Sequence, residues 1–118
     1  MKTHKDLNVW KKAVELVTVI YKETNGFPTS EIYGLTNQIR RSAVSIPSNI
    51  AEGAGRTSKK EFSRFLSISI GSASELETQL IISRNLGFIE DLTYENIIKE
   101  LEDIRKMTSG LIKSLDIK

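Results

Sequence analysis

Seven positions, Phe62, Leu66, Ser69, Ala73, Leu76, Leu80 and Ser83, recur at strictly alternating spacings of four and three residues. An α-helix, at 3.6 residues per turn, places such positions on one face, whereas a strand would place every second residue there. The stripe runs for about six turns. A helix gains little stability without a partner covering its apolar face, so the rest of the chain must supply one.

Three further segments carry the same period. From about Asp6 to Thr24, Leu7, Trp10, Val14, Val17 and Tyr21 define a face that Ala13, Leu16 and Ile20 widen. Asn25, Gly26 and Pro28 stop it, since proline cannot continue the ladder. A second helix is expected from near Ser30, on Ile32, Leu35, Ile39, Ala43, Ile46, Ile50 and Ala54, ending at Gly53–Gly55. The third, described above, opens with a capping box in which Ser58 accepts from the Glu61 N–H and the Glu61 carboxylate reaches back; Gly87 caps its far end. The fourth is expected from Thr93, on Ile97, Leu101, Ile104, Thr108, Leu111 and Leu115. No segment sustains the alternation of a strand. Short connections make neighbours antiparallel, so the expected fold is an all-α, up-and-down four-helix bundle, with rods of roughly 30–40 Å. At 118 residues the chain makes one domain, 1–118.

Two features strain that pattern. Pro47 removes one backbone hydrogen bond and crowds the Ala43 carbonyl, yet the apolar spacing passes through it from Ala43 to Ile46 to Ile50. A kinked but continuous second helix follows, with Ser42, Ser45 and Ser48 placed to bond freed backbone groups. The third helix is crowded with Ser, Gly and Ala, which are mediocre helix formers and suit close approach of another helix. Phe65, Ile68 and Ile70 point off its stripe and ask for a second partner, either a wide core or another subunit.

Few kinds of chemistry are open to this chain. It has no cysteine, so disulfides, thiolate metal sites and thiol nucleophiles are excluded. His4 is the one histidine, in a stretch expected to be frayed and solvated. A di-iron bundle needs Glu-x-x-His twice, and a serine nucleophile needs a base. Gly53-Ala54-Gly55 matches neither a Walker loop nor a dinucleotide fingerprint, and suits a helix-to-helix corner. No enzymatic activity, cofactor or metal site is expected. The start, MKTHKDLNVWKK, lacks an apolar leader and no 18-residue apolar run follows, so the expected location is the cytoplasm, without membrane partners.

Charge is more informative than its total of +2. From Thr36 to Ser72, Arg40, Arg41, Arg56, Lys59, Lys60 and Arg64 face only Glu52 and Glu61. Beyond Ala73 acids outnumber bases. Lys59 and Lys60 oppose the dipole at their helix start by about 0.3–1 kcal/mol each, so helix stability does not account for them. An anion-binding role does. Arg40, Arg56, Lys59, Lys60 and Arg64 are therefore candidate nucleic-acid contacts, with an ordinary solvated surface as the competing explanation. Arg41, Ser45, Ser48 and Glu52 share one helix face, and a polar network of Arg41 with Glu52 or Glu75 is expected to fix helix register.

The stretches QIRRSAVSIPSNIAEGAGR and SKKEFSRFLSISIGSASELETQL closely resemble the signature of the four-helix-bundle proteins encoded by 23S rRNA intervening sequences, the S23 type. The likeness spans roughly Leu7 to Leu115. It includes Arg41, Pro47, Asn49, Glu52, Gly53, Gly55 and Arg56, then Glu61, Phe62, Phe65, Leu66, Gly71, Ser72, Glu75, Leu76 and Leu80. More distantly, the chain is similar to the accessory variability proteins of diversity-generating retroelements. The resemblance implies an antiparallel bundle, a ring-like homopentamer, and, from the retroelement relatives, a basic surface for nucleic acid and a reverse transcriptase partner. It carries no catalytic residue. The functional expectation is a non-enzymatic, oligomeric bundle that binds RNA or a ribonucleoprotein through its basic corner, or alternatively a protein-binding scaffold.

Overall fold

The computed structural model describes residues 2–117 of the chain. Four helices, α1 (Asn8–Thr24), α2 (Leu35–Ala54), α3 (Lys59–Asn85) and α4 (Asp91–Ser114), form an antiparallel bundle measuring 45 × 24 × 22 Å. Among the described residues there is no strand. Each helix packs on the next, and α4 returns to α1 to close the bundle. No helix is long and apolar enough to cross a membrane among the described residues.

The core follows the three-four pattern. On α3, Leu66, Ser69, Ala73, Leu76, Leu80 and Ser83 are buried, and they meet Ile39, Ala43, Ile46 and Ile50 of α2. On α4 the buried positions are Tyr94, Ile97, Leu101, Ile104 and Thr108. The buried line of α1 differs from the expected one. Val9, Ala13, Leu16, Ile20 and Thr24 face inward, while Val14 and Tyr21 are exposed and Leu7, Trp10 and Val17 lie at the edge. Both flanks of this helix are apolar, so periodicity alone did not fix its rotation.

The entry to α2 also differs. Helix does not begin at Ser30: Thr29–Glu31 form a single 3-10 turn behind Pro28, and α2 starts after Gly34, whose φ of −114° and ψ of −113° break the path. Ile32 is consequently exposed rather than part of the core face. From there α2 runs unbroken through Pro47. Ser42 and Ser45 are used across the seam to α3 instead of along the backbone, and Ser48 is exposed. Ser42 Oγ donates to Glu75 Oε1 at 2.6 Å, and the Ser45 and Ser72 hydroxyls are 2.9 Å apart. Ser69 Oγ donates to the Ile46 carbonyl at 3.0 Å, a buried bond from helix to helix. This is why Ser69 and Ser72 are small: a hydroxyl on a short stem bonds across a gap that a large side chain would prop open.

Gly87 ends α3 with φ +77°, the left-handed conformation that favours glycine. Its N–H donates to the Arg84 carbonyl at 3.0 Å, and the Phe88 N–H donates to the Ser83 carbonyl at 2.9 Å. That pair is the Schellman arrangement, which satisfies two of the carbonyls a helix end would leave free. Phe88 then packs on Phe27, ring centres 5.6 Å apart, so the α1–α2 and α3–α4 connections meet at one end of the bundle.

Candidate nucleic-acid interface

The opposite end gathers the start of α1, the α2–α3 corner and the end of α4. The corner closes tightly. A Cβ added at Gly53 would lie 2.8 Å from Phe65 Cβ and 3.2 Å from the Phe62 carbonyl oxygen, so only glycine lets the end of α2 lie against the first turns of α3. Gly55, by contrast, has an ordinary φ of −83° and caps α2 without using glycine's freedom. Ser58 then starts α3 by accepting from the Glu61 N–H at 3.1 Å. The reciprocal half of the expected capping box is replaced: the Glu61 carboxylate faces Arg64 at 3.5 Å.

Four of the candidate cations stand together here. Arg56 pairs with Glu52 at 2.5 Å and lies 4.8 Å from the Phe65 ring centre; Arg64 lies 5.6 Å from the same ring. These exposed pairs contribute little stability but hold the guanidiniums in place. Lys59 and Lys60 are exposed, and no carboxylate lies within 4 Å of either among the described residues. They are the free charge of the corner.

Arg40 does not join them. It sits near the start of α2, at the far end of the bundle, and clamps the end of α1. Its Nε donates to Thr24 Oγ1 at 2.9 Å and a terminal nitrogen donates to Asn25 Oδ1 at 3.1 Å, with the guanidinium 4.7 Å from the Tyr21 ring centre. Fourteen residues of intervening helix separate it from Gly55, roughly 20 Å at 1.5 Å per residue. It is a structural residue of the α1–α2 connection.

The expected Arg41 network is not formed either. Glu52 is taken by Arg56, Glu75 accepts from Ser42, and Arg41 is exposed with no carboxylate within 4 Å among the described residues. Helical spacing placed these residues on one face but could not say which neighbour each would reach first.

The N-terminal segment was expected to fray, yet it is ordered into the site. Thr3 and Asp6 form a reciprocal capping box around the turn His4–Asp6. The backbone N–H groups of Lys2 and Thr3 donate to the Asp6 carboxylate at 2.8 and 3.1 Å and hold its pKa below the usual aspartate value. The His4 ring packs edge-on against Trp10, centres 5.0 Å apart. The segment lies beside the end of α2: Lys2, Thr3, His4 and Lys5 share a hollow of about 350 Å³ with Ala54 and Gly55. The capping pattern T-x-x-D at Thr3 was the signal that could have revealed it.

Comparison with solved structures finds the same fold. The chain is similar to the crystal structure, at 1.70 Å resolution, of a protein with unknown function from the S23 ribosomal protein family of Bacteroides thetaiotaomicron. The two share 29% identity over 89% of this chain and 98% of that one, with a TM-score of 0.80. No curated protein matches the chain. The model of one family, described as 23S rRNA-intervening sequence protein, matches residues 5–110, which include every helix start and the whole of the α2–α3 corner. The chain therefore belongs to the 23S rRNA-intervening sequence protein family.

Proposed function

We propose that this protein is a non-enzymatic, cytoplasmic, self-associating helical bundle that binds structured RNA through the α2–α3 corner. The observation that carries this reading is the pair Lys59 and Lys60: exposed, without a carboxylate partner among the described residues, and set where a helix dipole disfavours them. Arg56 and Arg64, steadied against Phe65, extend the positive surface on either side. Phosphate contacts of this kind weaken steeply with added salt. The test is a Lys59→Glu, Lys60→Glu double variant titrated with a fluorescent RNA hairpin at low salt. Unchanged circular dichroism with about tenfold weaker binding or worse supports the reading. Equal binding by both proteins rejects it.

Self-association is supported by a separate observation on α3. Ile68, Ile81 and Ile82 are exposed, and a Cβ added at Gly71 between them meets nothing within 4 Å. Gly71 thus serves no close approach inside the protomer, although glycine in a helix interior costs about 1 kcal/mol relative to alanine. A second subunit lying against this face would account for it, and the family resemblance implies five subunits. Gly71→Leu should leave the melting temperature unchanged or higher while reducing the mass seen by light scattering to that of one chain. An unchanged oligomer, or a wild-type protein that is already monomeric, rejects the idea. An alternative scaffold role, binding another protein through the same face, predicts a stoichiometric partner that survives nuclease treatment.

A further inference from the structure

Resting on the RNA-binding reading above, we infer that the interface is the whole end of the bundle, with Lys2 and Lys5 as part of it, and that it takes duplex rather than single-stranded RNA. Fifty residues separate Lys5 from Arg56 in sequence, but the fold brings their segments to one hollow, lined by Lys2 and Lys5 and by the Ala54–Gly55 end of α2. Arg56 follows directly, and Lys113 lies in the last turn of α4 at the same end. The capping box of Thr3 and Asp6 fixes the segment with its lysines outward and exposed, and neither lysine has a carboxylate within 4 Å among the described residues. Asp6, the acid nearest to them, is occupied by the backbone N–H groups of Lys2 and Thr3. The cations of this end outnumber its acids, Asp6, Glu52, Glu61 and Asp116, so it is a positive face about 24 by 22 Å across, the transverse size of the bundle.

Its aromatic content indicates how it reads RNA. Proteins that hold single strands stack the bases on exposed aromatic rings, whereas duplexes are held by phosphate and ribose contacts along their shape. At this end no ring among the described residues is free. Trp10 is half-buried and packed on His4, Phe62 is half-buried against the core, and Phe65 has Arg56 and Arg64 against its ring. The exposed tyrosines, Tyr21 and Tyr33, stand at the opposite end. A face with cations in three chain segments and no stacking platform suits the dense phosphate of a double strand.

Lys2 and Lys5 have another explanation, since cations beside the end of α2 also complement its dipole. The experiment separates the two. The full chain, a Lys2→Glu, Lys5→Glu variant and the Lys59→Glu, Lys60→Glu variant are titrated by fluorescence anisotropy with an RNA duplex of about 16 base pairs and with one of its strands, across a salt series; melting temperatures are recorded in parallel. The expected result is tighter binding of duplex than strand, and about tenfold weaker duplex binding by each variant. Each should also show a log–log salt slope shallower by up to about 2. If the corner variant weakens binding and the Lys2, Lys5 variant does not, whatever happens to its melting temperature, the composite face is overturned and the corner reading stands. Loss in the Lys2, Lys5 variant alone rejects the corner and the composite together. Equal or tighter binding of the single strand overturns the duplex preference. No effect of either variant rejects the inference and the reading it rests on.

Discussion

Along the α2–α3 seam the side chains are short and the contacts specific: Ser42 with Glu75, Ser45 with Ser72, Ser69 with the Ile46 carbonyl, and Gly53 under Phe62 and Phe65. Along the α1–α4 seam the helices approach each other less closely, around a hollow of about 360 Å³ whose lining includes Leu16, Val19 and Ile97. There the polar contact is a surface ion pair, Lys12 to Glu100 at 2.5 Å with Asp103 at 3.9 Å. The first seam derives its strength from fit and from hydrogen bonds shielded from water. The second is closed by apolar residues of the shared core, and the polar contact across it is exposed to solvent and contributes little. The rigid seam is also the one that ends in the basic corner, so the candidate site is mounted on the better-fixed half of the bundle.

Substitutions on the two sides should differ accordingly. The largest effect is expected from Gly53→Leu, because the contacts it would violate include backbone and Cβ atoms that cannot swing aside. Overpacking of this kind costs about 3 kcal/mol or more, measurable by urea denaturation. A loss below about 1 kcal/mol would show that the end of α2 can lift off α3, and the contrast between the seams would weaken. Next comes Ser69→Ala, which deletes a buried hydroxyl bonded to the Ile46 carbonyl. Its expected loss is about 1 kcal/mol. No change in the urea midpoint would mean that the seam is held by shape alone.

The smallest effect is expected from Lys12→Met. Its pKa is raised, chiefly by the hydrogen bond to Glu100 and then by the charges of Glu100 and Asp103. Because the folded-state pKa lies above the unfolded one, the contribution of the pair is complete below lysine's ordinary value of 10.5 and is lost as pH rises through the raised value. Lys12→Met should shift the urea midpoint only slightly at pH 7, and the shift should vanish in added salt. A shift as large as that of Ser69→Ala would reverse the ranking of the two seams.

Much of this architecture was legible in the chain. The α3 stripe from Leu66 to Ser83 is buried as its spacing requires, and Gly87 caps as expected. Errors arose where local pattern left a choice. Tyr21 and Val14 were assigned to the core because α1 is apolar on more than one side. The start of α2 was placed too early because the unusual backbone of Gly34 leaves no mark in an apolar pattern. Lys59, Lys60, Arg56 and Arg64 group around one turn in the sequence, and the fold keeps them together at the α2–α3 corner. Arg40 was wrongly grouped with them because distance along a sequence says nothing about which end of an antiparallel bundle a residue occupies. The nearness of Lys2 and Lys5 to the Ala54–Gly55 end of α2 is invisible in the sequence for the same reason: it exists only after the bundle closes.

The closing of α4 onto α1 has a consequence in time. Three of the four seams join helices that follow one another, so they form from chain segments already near each other, the condition for fast folding. The α1–α4 seam joins the two ends of the sequence and must wait for the other helices to assemble. The seam that forms last is also the most loosely filled, so it should be the first to reopen. Native-state hydrogen exchange would then find α1 and α4 amides released before those of α2 and α3. A bundle of this kind breathes at the junction of its termini while its middle pair stays shut.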